Sequence, residues 1–400
     1  MNNIITSKGL YFIHSFDDNY EYRNSWDHEE NREIEKAILF RDIIDNPDSI
    51  SAYSISLTRL MSLEQEIREG DFVDYNGENF IKADYHPVVI MYRELSNQLI
   101  RQIGYANYRN RSEPVDNRLS NVFSFHINVG HGNCSIILFK ENNTWKIWMV
   151  DCSYYDYTNY SRYRNHYGNI IRCLNDIEKE YGVNVVSKLL ITHLHYDHIS
   201  AIDKLISDGY INKDTEVWMN TKYPWIQPSY LRILSNLNAI NVRFIDPIVS
   251  NSTEQIKVLY PQIIFDKTNQ PPLNKINNSS VVYQIVLNGK RMLFPGDLET
   301  DGWNELSCCY PYLKHTDYYC ISHHGSINGH IRKSCKPQGR KILNLSDCSC
   351  SRIQILMGRN NAYSGIYSPM VLRDFKGIKK TEDAKHYIMI NWDSDEVKYN

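Results

Sequence analysis

The segment of residues 189–198 constrains this chain more than any other part of the sequence. It reads Leu-Leu-Ile-Thr-His-Leu-His-Tyr-Asp-His, so an apolar run of strand length leads directly into His193, His195, Asp197 and His198. Buried polar groups need partners, because an unpaired one is costly. Few structural requirements other than a bound ion explain such a cluster at the end of an apolar strand.

The spacing within this cluster predicts a site for two metal ions. In an extended segment, residues two apart point to the same side, so His193 and His195 are predicted to hold one ion. If the chain then turns into a helix near Ile199, Asp197 and His198 face a second ion. Two ions with nitrogen and oxygen ligands, about 3.5–4 Å apart, activate a bridging water. The predicted cofactors are therefore two divalent ions, Zn²⁺ first and Mn²⁺ as the alternative.

Three motifs in chain order carry a family resemblance. Residues 193–198 resemble the His-x-His-x-Asp-His signature of the metallo-β-lactamase fold superfamily. Phe294-Pro-Gly-Asp297 is similar to the strand-ending Gly-Asp element of that superfamily, and Ile321-Ser-His-His-Gly-Ser326 to its late His-His-Gly-Ser element. Further segments resemble the ComEC-type (competence protein) metallo-hydrolases; they are residues 128–135, 277–280 and 358–363.

The resemblance implies a role for each of these residues. The implied metal ligands are His193, His195, Asp197, His198, Asp297 and His323. Asp297 bridges the two ions, and either His323 or His324 completes the second site. The other histidine acts on the leaving group as a general acid or contacts a phosphate. The two catalytic candidates are Asp197 and His324. Asp151 is a candidate acceptor that orients a liganding imidazole, or else a turn residue after its strand.

The chain departs from the family pattern at three places. No histidine lies between positions 198 and 315, so the first ion's site is predicted to be open or rich in oxygen ligands. Asn128, His131 and Asn133 stand where the early motif has Asp, Gln and Asp. Near the end, residues 363–367 lack the histidine of the family's Tyr-Gly-His-Pro segment. These departures weaken the expectation of full activity.

The periodicity of apolar residues divides the chain into two regions. Residues 34–38 and 88–103 show a helical spacing, which predicts a mainly helical accessory region over residues 1–120. From residue 121 to residue 400, short strands alternate with helices. The resemblance implies that this second region is an α/β protein with the four-layer αββα sandwich of the metallo-β-lactamase fold.

Charge gives the few clues to a substrate. The chain has 44 Lys and Arg against 47 Asp and Glu, which gives a net charge of −3. Binding of nucleic acid would therefore require a local basic patch. Arg332 and Lys333 follow the His-His-Gly element in a stretch, residues 318–346, without Asp or Glu. Tyrosines alternate with arginines after Asp151, and the candidates there for stacking bases and holding phosphates are Tyr154, Arg162 and Arg164. The basic stretch is explained equally well as a solvated charged face, and the Tyr-rich stretch as a packing face.

These observations predict a dinuclear-metal-dependent hydrolase. The favoured activity is that of a phosphodiesterase or nuclease acting on nucleic acid or a nucleotide, in which a metal-bridging hydroxide attacks phosphorus. One alternative is hydrolysis of a small ester of phosphocholine or lactone type. Another is a catalytically weakened binding or sensing module of a defence or regulatory complex.

The termini and the accessory region bear on location and partners. The first residues lack a basic stretch followed by an apolar run, and no apolar segment approaches the roughly 20 residues that a membrane-spanning helix needs. We therefore expect a cytoplasmic protein with a phosphate-containing substrate and no membrane contact. Residues 1–120 are a candidate surface for a homo-oligomer or a partner protein.

Overall fold

Three β-sheets and the helices around them form the described part of the protein. The structure is a computed structural model. It describes residues 5, 7–18, 34–43, 46–56, 59–60, 66–104, 119–154, 166–309, 316–330, 353–360, 366–375 and 377–400.

The first sheet belongs to the N-terminal region and corrects a prediction. Its spatial order is β3-β2-β1-β4-β5, and its strands are β1 (Gly9–Asp18), β2 (Ile34–Ile43), β3 (Asn46–Ser56), β4 (Phe72–Tyr75) and β5 (Phe80–Lys82). Helix α1 (Pro87–Ile103) follows β5, as its apolar spacing predicts. The prediction of a mainly helical accessory region was wrong, because the strands contain far more of its described residues than α1 does.

The error has a physical cause in β2. Ala37 and Leu39 belong to the apolar cluster on one face of the sheet, while Ile38 and Phe40 join the core on the other face. A strand that is buried on both faces has a continuous apolar run rather than an alternating pattern. Such a run also satisfies a helical spacing, so the periodicity could not distinguish the two.

The second sheet positions most of the predicted site. Within the described residues it has eight strands, which in spatial order are β11 (Arg243–Ile245), β10 (Glu216–Trp218), β9 (Val186–Leu190), β8 (Thr144–Cys152), β7 (Cys134–Glu141), β6 (Leu119–Ile127), β18 (Tyr387–Asn391) and β19 (Glu396–Tyr399). Strands β8 to β11 run parallel to one another. The other neighbours pair antiparallel. Strand β6 crosses the predicted boundary after residue 120, and that boundary stays a prediction.

The third sheet faces the second. In the described chain its six strands are, in spatial order, β12 (Ile256–Tyr260), β13 (Val282–Leu287), β14 (Lys290–Phe294), β15 (Tyr318–Cys320), β16 (Ile353–Leu356) and β17 (Lys379–Lys380). Trp148 and Val150 of the second sheet share one buried cluster with Tyr283 and Phe294 of the third. The two sheets therefore pack against each other through apolar side chains, as in a sandwich.

Helices cover the outer faces of this sandwich. They are α2 (Tyr167–Tyr181), α3 (Tyr196–Ile199), α4 (Ile202–Ser207) and α5 (Pro228–Ala239) on the second sheet, and α6 (Thr300–Cys309) and α7 (Pro369–Asp374) on the third. Ile170 and Leu231 bury the second sheet's outer face, and Trp303 and Val371 that of the third. The layers run helix, sheet, sheet, helix, which confirms the predicted four-layer αββα arrangement.

The N-terminal sheet is joined to the helical layer on the second sheet. Phe12 and Phe72 belong to the same buried cluster as residues of α2 and α5. Asn238 of α5 donates a hydrogen bond to the Gln102 side chain of α1, at 3.3 Å. The N-terminal sheet therefore packs on the domain that contains the predicted site. Among the described residues, no helix combines the length and the apolar character that crossing a membrane requires.

Candidate metal centre

The predicted site residues lie at the carboxyl ends of strands in the two facing sheets. Asp151 lies at the end of β8, and the 193–198 segment follows β9. Asp297 follows β14, and the His323-His324 pair follows β15. Strands β8 and β9 are parallel, as are β14 and β15, so each pair ends at one edge of its sheet. The four segments meet where these two edges face each other.

The histidines of the 193–198 segment turn inward. His195 has extended backbone angles (φ −63°, ψ 145°) and precedes α3, whose first residue is Tyr196. The ring centroids of His193 and His195 lie 4.8 Å apart, and those of His193 and His198 lie 4.1 Å apart. All three rings are buried, and the Nε2 atoms of His193 and His195 have no hydrogen-bond partner among the described residues. Buried ring nitrogens of this kind are suitable for binding an ion.

Asp151 orients His198. One carboxylate oxygen of Asp151 accepts a hydrogen bond from the Thr192 backbone N–H, at 2.8 Å. The other oxygen accepts from the Thr192 hydroxyl and from Nδ1 of His198, each at 2.8 Å. Because Nδ1 then carries the hydrogen, Nε2 of His198 is directed toward Oδ1 of Asp297, 3.2 Å away. Asp151 therefore has the orienting contact that was one of its two predicted roles.

Asp297 reaches this cluster through a close approach of two backbone segments. Gly296 has φ +58°, and a Cβ atom built on it would lie 2.7 Å from Cβ of Thr192. Glycine is therefore required by both the backbone conformation and the lack of space. The Asp297 backbone N–H donates to the Ser280 hydroxyl, at 3.1 Å. These contacts hold the carboxylate against the histidines of the other sheet.

The structure separates the two histidines that the sequence left open. Both have left-handed backbone angles, with φ 49° at each, which is uncommon for residues other than glycine. Nδ1 of His324 lies 3.1 Å from the Met357 carbonyl, so it donates there. Nε2 of His324 then lies 3.3 Å from Oδ2 of Asp197 and 3.5 Å from Oδ2 of Asp297. His324 thus occupies the interior of the cluster.

His323 lies at the edge of the cluster. Its side chain is 18% exposed, and its Nε2 is 4.0 Å from Oδ2 of Asp297. The same nitrogen lies 3.4 Å from Nδ2 of Asn277, while Nδ1 is 3.9 Å from Oε1 of Glu299. His323 is therefore near the centre but partly open to solvent.

Among the residues that the structure describes, two groups of donor atoms are close enough to hold metal ions, and both contain Asp197. In the first group one ligand atom from each member lies within 4.8 Å of the others; its members are Asp197, His198, Asp297 and His324. The second group, whose ligand atoms also lie within 4.8 Å of one another, consists of His14, His195 and Asp197. His193 adjoins both groups through its contacts with the His195 and His198 rings. The structure thus brings together a buried set of imidazoles and carboxylates.

His14 is the member of this set that the sequence analysis missed. It comes from β1 of the N-terminal sheet, and it is 3% exposed. Its ring centroid lies 3.9 Å from that of His195. The chain places 180 residues between the two histidines, so no local spacing could have connected them.

His131 also lies beside the donor groups, which its position in the sequence did not predict. It stands where the early family motif has Gln, and its Nε2 lies 3.6 Å from Oδ2 of Asp197. Its ring centroid is 4.2 Å from that of His324. The early-motif departure therefore adds an imidazole beside the first group of donors.

Burial and charge act differently on the two groups. Burial lowers the pKa of His14 to about 4 and the pKa of His195 well below its usual value, so both rings are neutral near pH 7. Burial also opposes charge on His324, but Asp297 and Asp197 outweigh it and raise the pKa of His324 to about 9. The first group is thus ionic in the absence of metal, whereas His14 and His195 offer neutral imidazoles.

Of the predicted substrate-binding residues, Tyr154 lies within the described part of the chain. Tyr154 is 2% exposed. Its ring lies 5.9 Å from that of Tyr167, with the Lys204 ammonium 4.5 Å from its centroid. Tyr154 therefore packs within the helical layer. Four further candidates lie outside the described residues; they are Arg162, Arg164, Arg332 and Lys333.

Comparisons with known proteins found solved structures of low similarity to this chain. No protein-family model matches the sequence, and no curated protein matches it. The metallo-beta-lactamase fold protein YhfI from Bacillus subtilis is 10% identical, with 68% of this chain and 99% of that chain covered and a TM-score of 0.35. A long form RNase Z from yeast is 10% identical, with 90% and 50% covered and a TM-score of 0.36. A diphosphatase from the PhnP family is 10% identical, with 70% and 100% covered and a TM-score of 0.32.

The fold assignment depends on the chain's own architecture. The two facing sheets, the outer helices and the meeting of the motif segments at one edge are consistent with a metallo-β-lactamase fold. The ComEC-type subgroup stays a prediction.

Proposed function

We propose that this protein is a dinuclear-metal-dependent hydrolase that cleaves phosphodiester bonds in nucleic acid or a nucleotide. The observation that carries the proposal is the buried cluster of imidazoles and carboxylates between the two sheets. In the proposed centre, His193 and His195 hold one ion. The other ion is held by Asp197, His198, Asp297 and His324.

The donor atoms fit divalent ions of borderline softness. Nε2 of His193, Nε2 of His195 and Oδ1 of Asp197 are buried and have no hydrogen-bond partner in the described part of the protein. Such atoms are costly unless a ligand satisfies them. A set of imidazole nitrogens and carboxylate oxygens suits Zn²⁺ or Mn²⁺. The residues present therefore fit the ions that the sequence predicts.

The chain's own residues prepare the site by fixing the orientation of two imidazoles. Divalent ions in such a site act as Lewis acids and lower the pKa of water, which makes hydroxide available near neutral pH. Asp151 holds the hydrogen of His198 on Nδ1, and the Met357 carbonyl does the same for His324, so both Nε2 atoms face inward. This fixed orientation reduces the reorganisation needed when the substrate binds.

His323 is proposed as the proton donor to the leaving group. It lies beside Asp297 and keeps 18% of its side chain exposed to solvent. Asn277 and Glu299 lie within 4 Å of its ring nitrogens and restrict its rotation. A positioned imidazole that reaches solvent is a suitable general acid.

The phosphodiester substrate class is supported by charge in the sequence. Residues 318–346 contain no acidic residue, and Arg332 and Lys333 follow the buried His330 almost immediately. The chain therefore continues from the His-His-Gly element directly into a cationic stretch, which favours an anionic substrate.

The test begins with metal content and then measures cleavage. Purified protein is loaded with Zn²⁺ or Mn²⁺ and assayed on bis-nitrophenyl phosphate, single-stranded and duplex DNA, and RNA, with a lactone and a phosphocholine ester in parallel. We expect phosphodiester cleavage, and we expect Asp297→Asn to reduce it by at least roughly 100-fold, since even residues behind metal ligands have effects of 10–100-fold.

The matched control for Asp297→Asn is Asp203→Asn. Asp203 lies in α4 and bonds to Arg232 and Asn236, outside the cluster. We expect this variant to keep its activity. Cleavage of the lactone or the phosphocholine ester without phosphodiester cleavage would overturn the proposed substrate class. Equal activity of wild type and Asp297→Asn would overturn the proposed site.

A further inference from the structure

Strand β1 contains an irregularity at His14. Ile13 pairs with Leu39 and Ser15 pairs with Ile38, so two steps along β1 match one step along β2. His14 is the extra residue of this β-bulge. A bulge redirects a side chain locally, and bulges are frequent beside active sites. The strand therefore departs from regular pairing at a residue that reaches the proposed centre.

The bulged histidine faces the centre and has a defined set of neighbours. Its ring stacks on Phe40 of β2, with centroids 4.1 Å apart and an interplanar angle of 18°. Its centroid also lies 3.9 Å from that of His195. One ligand atom each of His14, His195 and Asp197 lie within 4.8 Å of one another, which a single ion can span.

His14 is placed where it can offer a third imidazole to the first ion of the proposed centre. His193 and His195 supply two imidazoles, whereas catalytic zinc sites have three protein ligands as a rule. The sequence between positions 198 and 315 offers no further histidine. We propose that His14 is a protein ligand of this first ion, so that the N-terminal sheet completes the metal centre of the neighbouring domain. The inference rests on the metal ions of the proposed function but not on its substrate class.

The N-terminal sheet is held at this position by contacts around the centre. The buried carboxylate of Glu69 accepts hydrogen bonds from the backbone N–H groups of Phe16 and Ile276, at 3.1 and 3.2 Å. Phe16 is two residues from His14, and Ile276 precedes Asn277, which contacts His323. Glu69 therefore bridges β1 and the segment beside the proposed proton donor.

A second contact leaves no gap between the sheet and the domain. A Cβ atom on Gly70 would lie 2.0 Å from Cδ1 of Trp225, so the indole lies directly against the backbone. Trp225 is in the same buried cluster as Phe12, which lies two residues before His14 in β1. The position of His14 is thus part of a packed interface rather than of a surface strand.

The test compares His14→Phe with wild type by metal binding. Phenylalanine keeps an aromatic ring between Phe40 and His195 but removes the nitrogen donors. Protein loaded with Zn²⁺ is passed over a desalting column and analysed for metal, and the affinity for each ion is measured by competition with a chromophoric chelator. We expect two ions in wild type and one tightly bound ion in His14→Phe, with at least tenfold weaker binding of the other. The Co²⁺-loaded proteins should also differ in their visible absorption, which reports the ligand set.

Controls separate ligation from packing. Phe40→Leu disturbs the stacking behind His14 but keeps its imidazole, so it should bind two ions. If His14→Phe does not fold, His14→Gln replaces it and should show the same loss. Two ions bound with unchanged affinity and an unchanged Co²⁺ spectrum in the variant would overturn the inference while leaving the proposed function intact. No metal in wild type would overturn the proposed centre and this inference together.

Discussion

The two sides of the candidate metal centre are held in different ways. On the side of the two facing sheets, directional hydrogen bonds orient the donors, as when Asp151 binds His198 and the Met357 carbonyl binds His324. On the side of the N-terminal sheet, His14 is placed by a bulge and by ring packing against Phe40. The first side is therefore set by nearby bonds, whereas the second depends on the docking of a whole sheet. We expect loss of a hydrogen-bond partner on the first side to act on an individual ligand, and changes on the second side to act through docking.

The largest expected effect is on the side of the facing sheets, at Gly296. In Gly296→Ala the new Cβ meets Thr192, and the residue also has positive φ. A positive φ costs about 1–2 kcal/mol for an L residue, and overpacking adds about 1–3 kcal/mol. We expect the free energy of unfolding, measured with denaturant, to fall by about 2–5 kcal/mol.

Gly289→Ala is the matched control for this change. Gly289 has φ +74°, but a Cβ atom added there would have no described atom within 4 Å, so only the backbone conformation matters. We expect a loss of about 1–2 kcal/mol. Equal losses in the two variants would show that the close approach at Thr192 contributes nothing.

The next effect tests the docking side through pH. Burial raises the pKa of Glu69 from 4.5 to about 7, with Glu299 adding to it and Lys275 opposing it. Between these values the unfolded chain loses the proton and the folded protein keeps it. The contribution of Glu69 to stability is therefore full below pH 4.5 and is lost as the pH rises through about 7. The loss amounts to about 3 kcal/mol at most.

Glu69→Gln isolates this contribution. We expect the fall in unfolding free energy between pH 5 and pH 8 to be smaller in the variant than in wild type by up to about 3 kcal/mol. Denaturant unfolding at both pH values measures the difference, and the other titrating groups cancel in the comparison. Parallel changes in the two proteins would contradict the prediction.

The smallest expected effect is on a single ligand. Asp151→Asn keeps the size of the side chain but removes the charge and one acceptor from the three bonds made to Thr192 and His198. We expect the affinity for one ion to fall by roughly 10–100-fold, as is typical when the partner of a liganding histidine is lost. Chelator competition measures it, with Asp203→Asn as the control. An affinity equal to that of wild type would mean that His198 does not need its carboxylate partner.

Much of the fold of residues 121–400 follows from the sequence. The sequence predicts short strands that alternate with helices there, and strands such as β7 and β13 and helices such as α2 form this alternation. In the N-terminal region the apolar spacing gave a wrong prediction, because β2 is buried on both faces and its pattern does not alternate. A periodicity indicates which side of an element is buried only when the other side is polar.

The candidate site likewise has a part that the sequence predicted and a part that it could not predict. The motif order predicted which segments meet. The structure places Asp297 and His198 in one group of donors, and the His193 ring lies beside the rings of His195 and His198. The motifs in the sequence could not distinguish His323 from His324 as the ligand, because adjacent residues share the same local pattern. That choice depends on left-handed backbone angles at both residues and on the Met357 carbonyl, which belongs to another strand's end.

The sequence by itself determined the chemistry of the 193–198 segment, since its four polar side chains are neighbours along the chain and their spacing limits where each one points. Only the tertiary structure decided that His14 and His131 join them. Those contacts depend on how β1 docks and how the early loop folds back. They result from the sum of many weak packing interactions across the chain, which no short stretch of residues records.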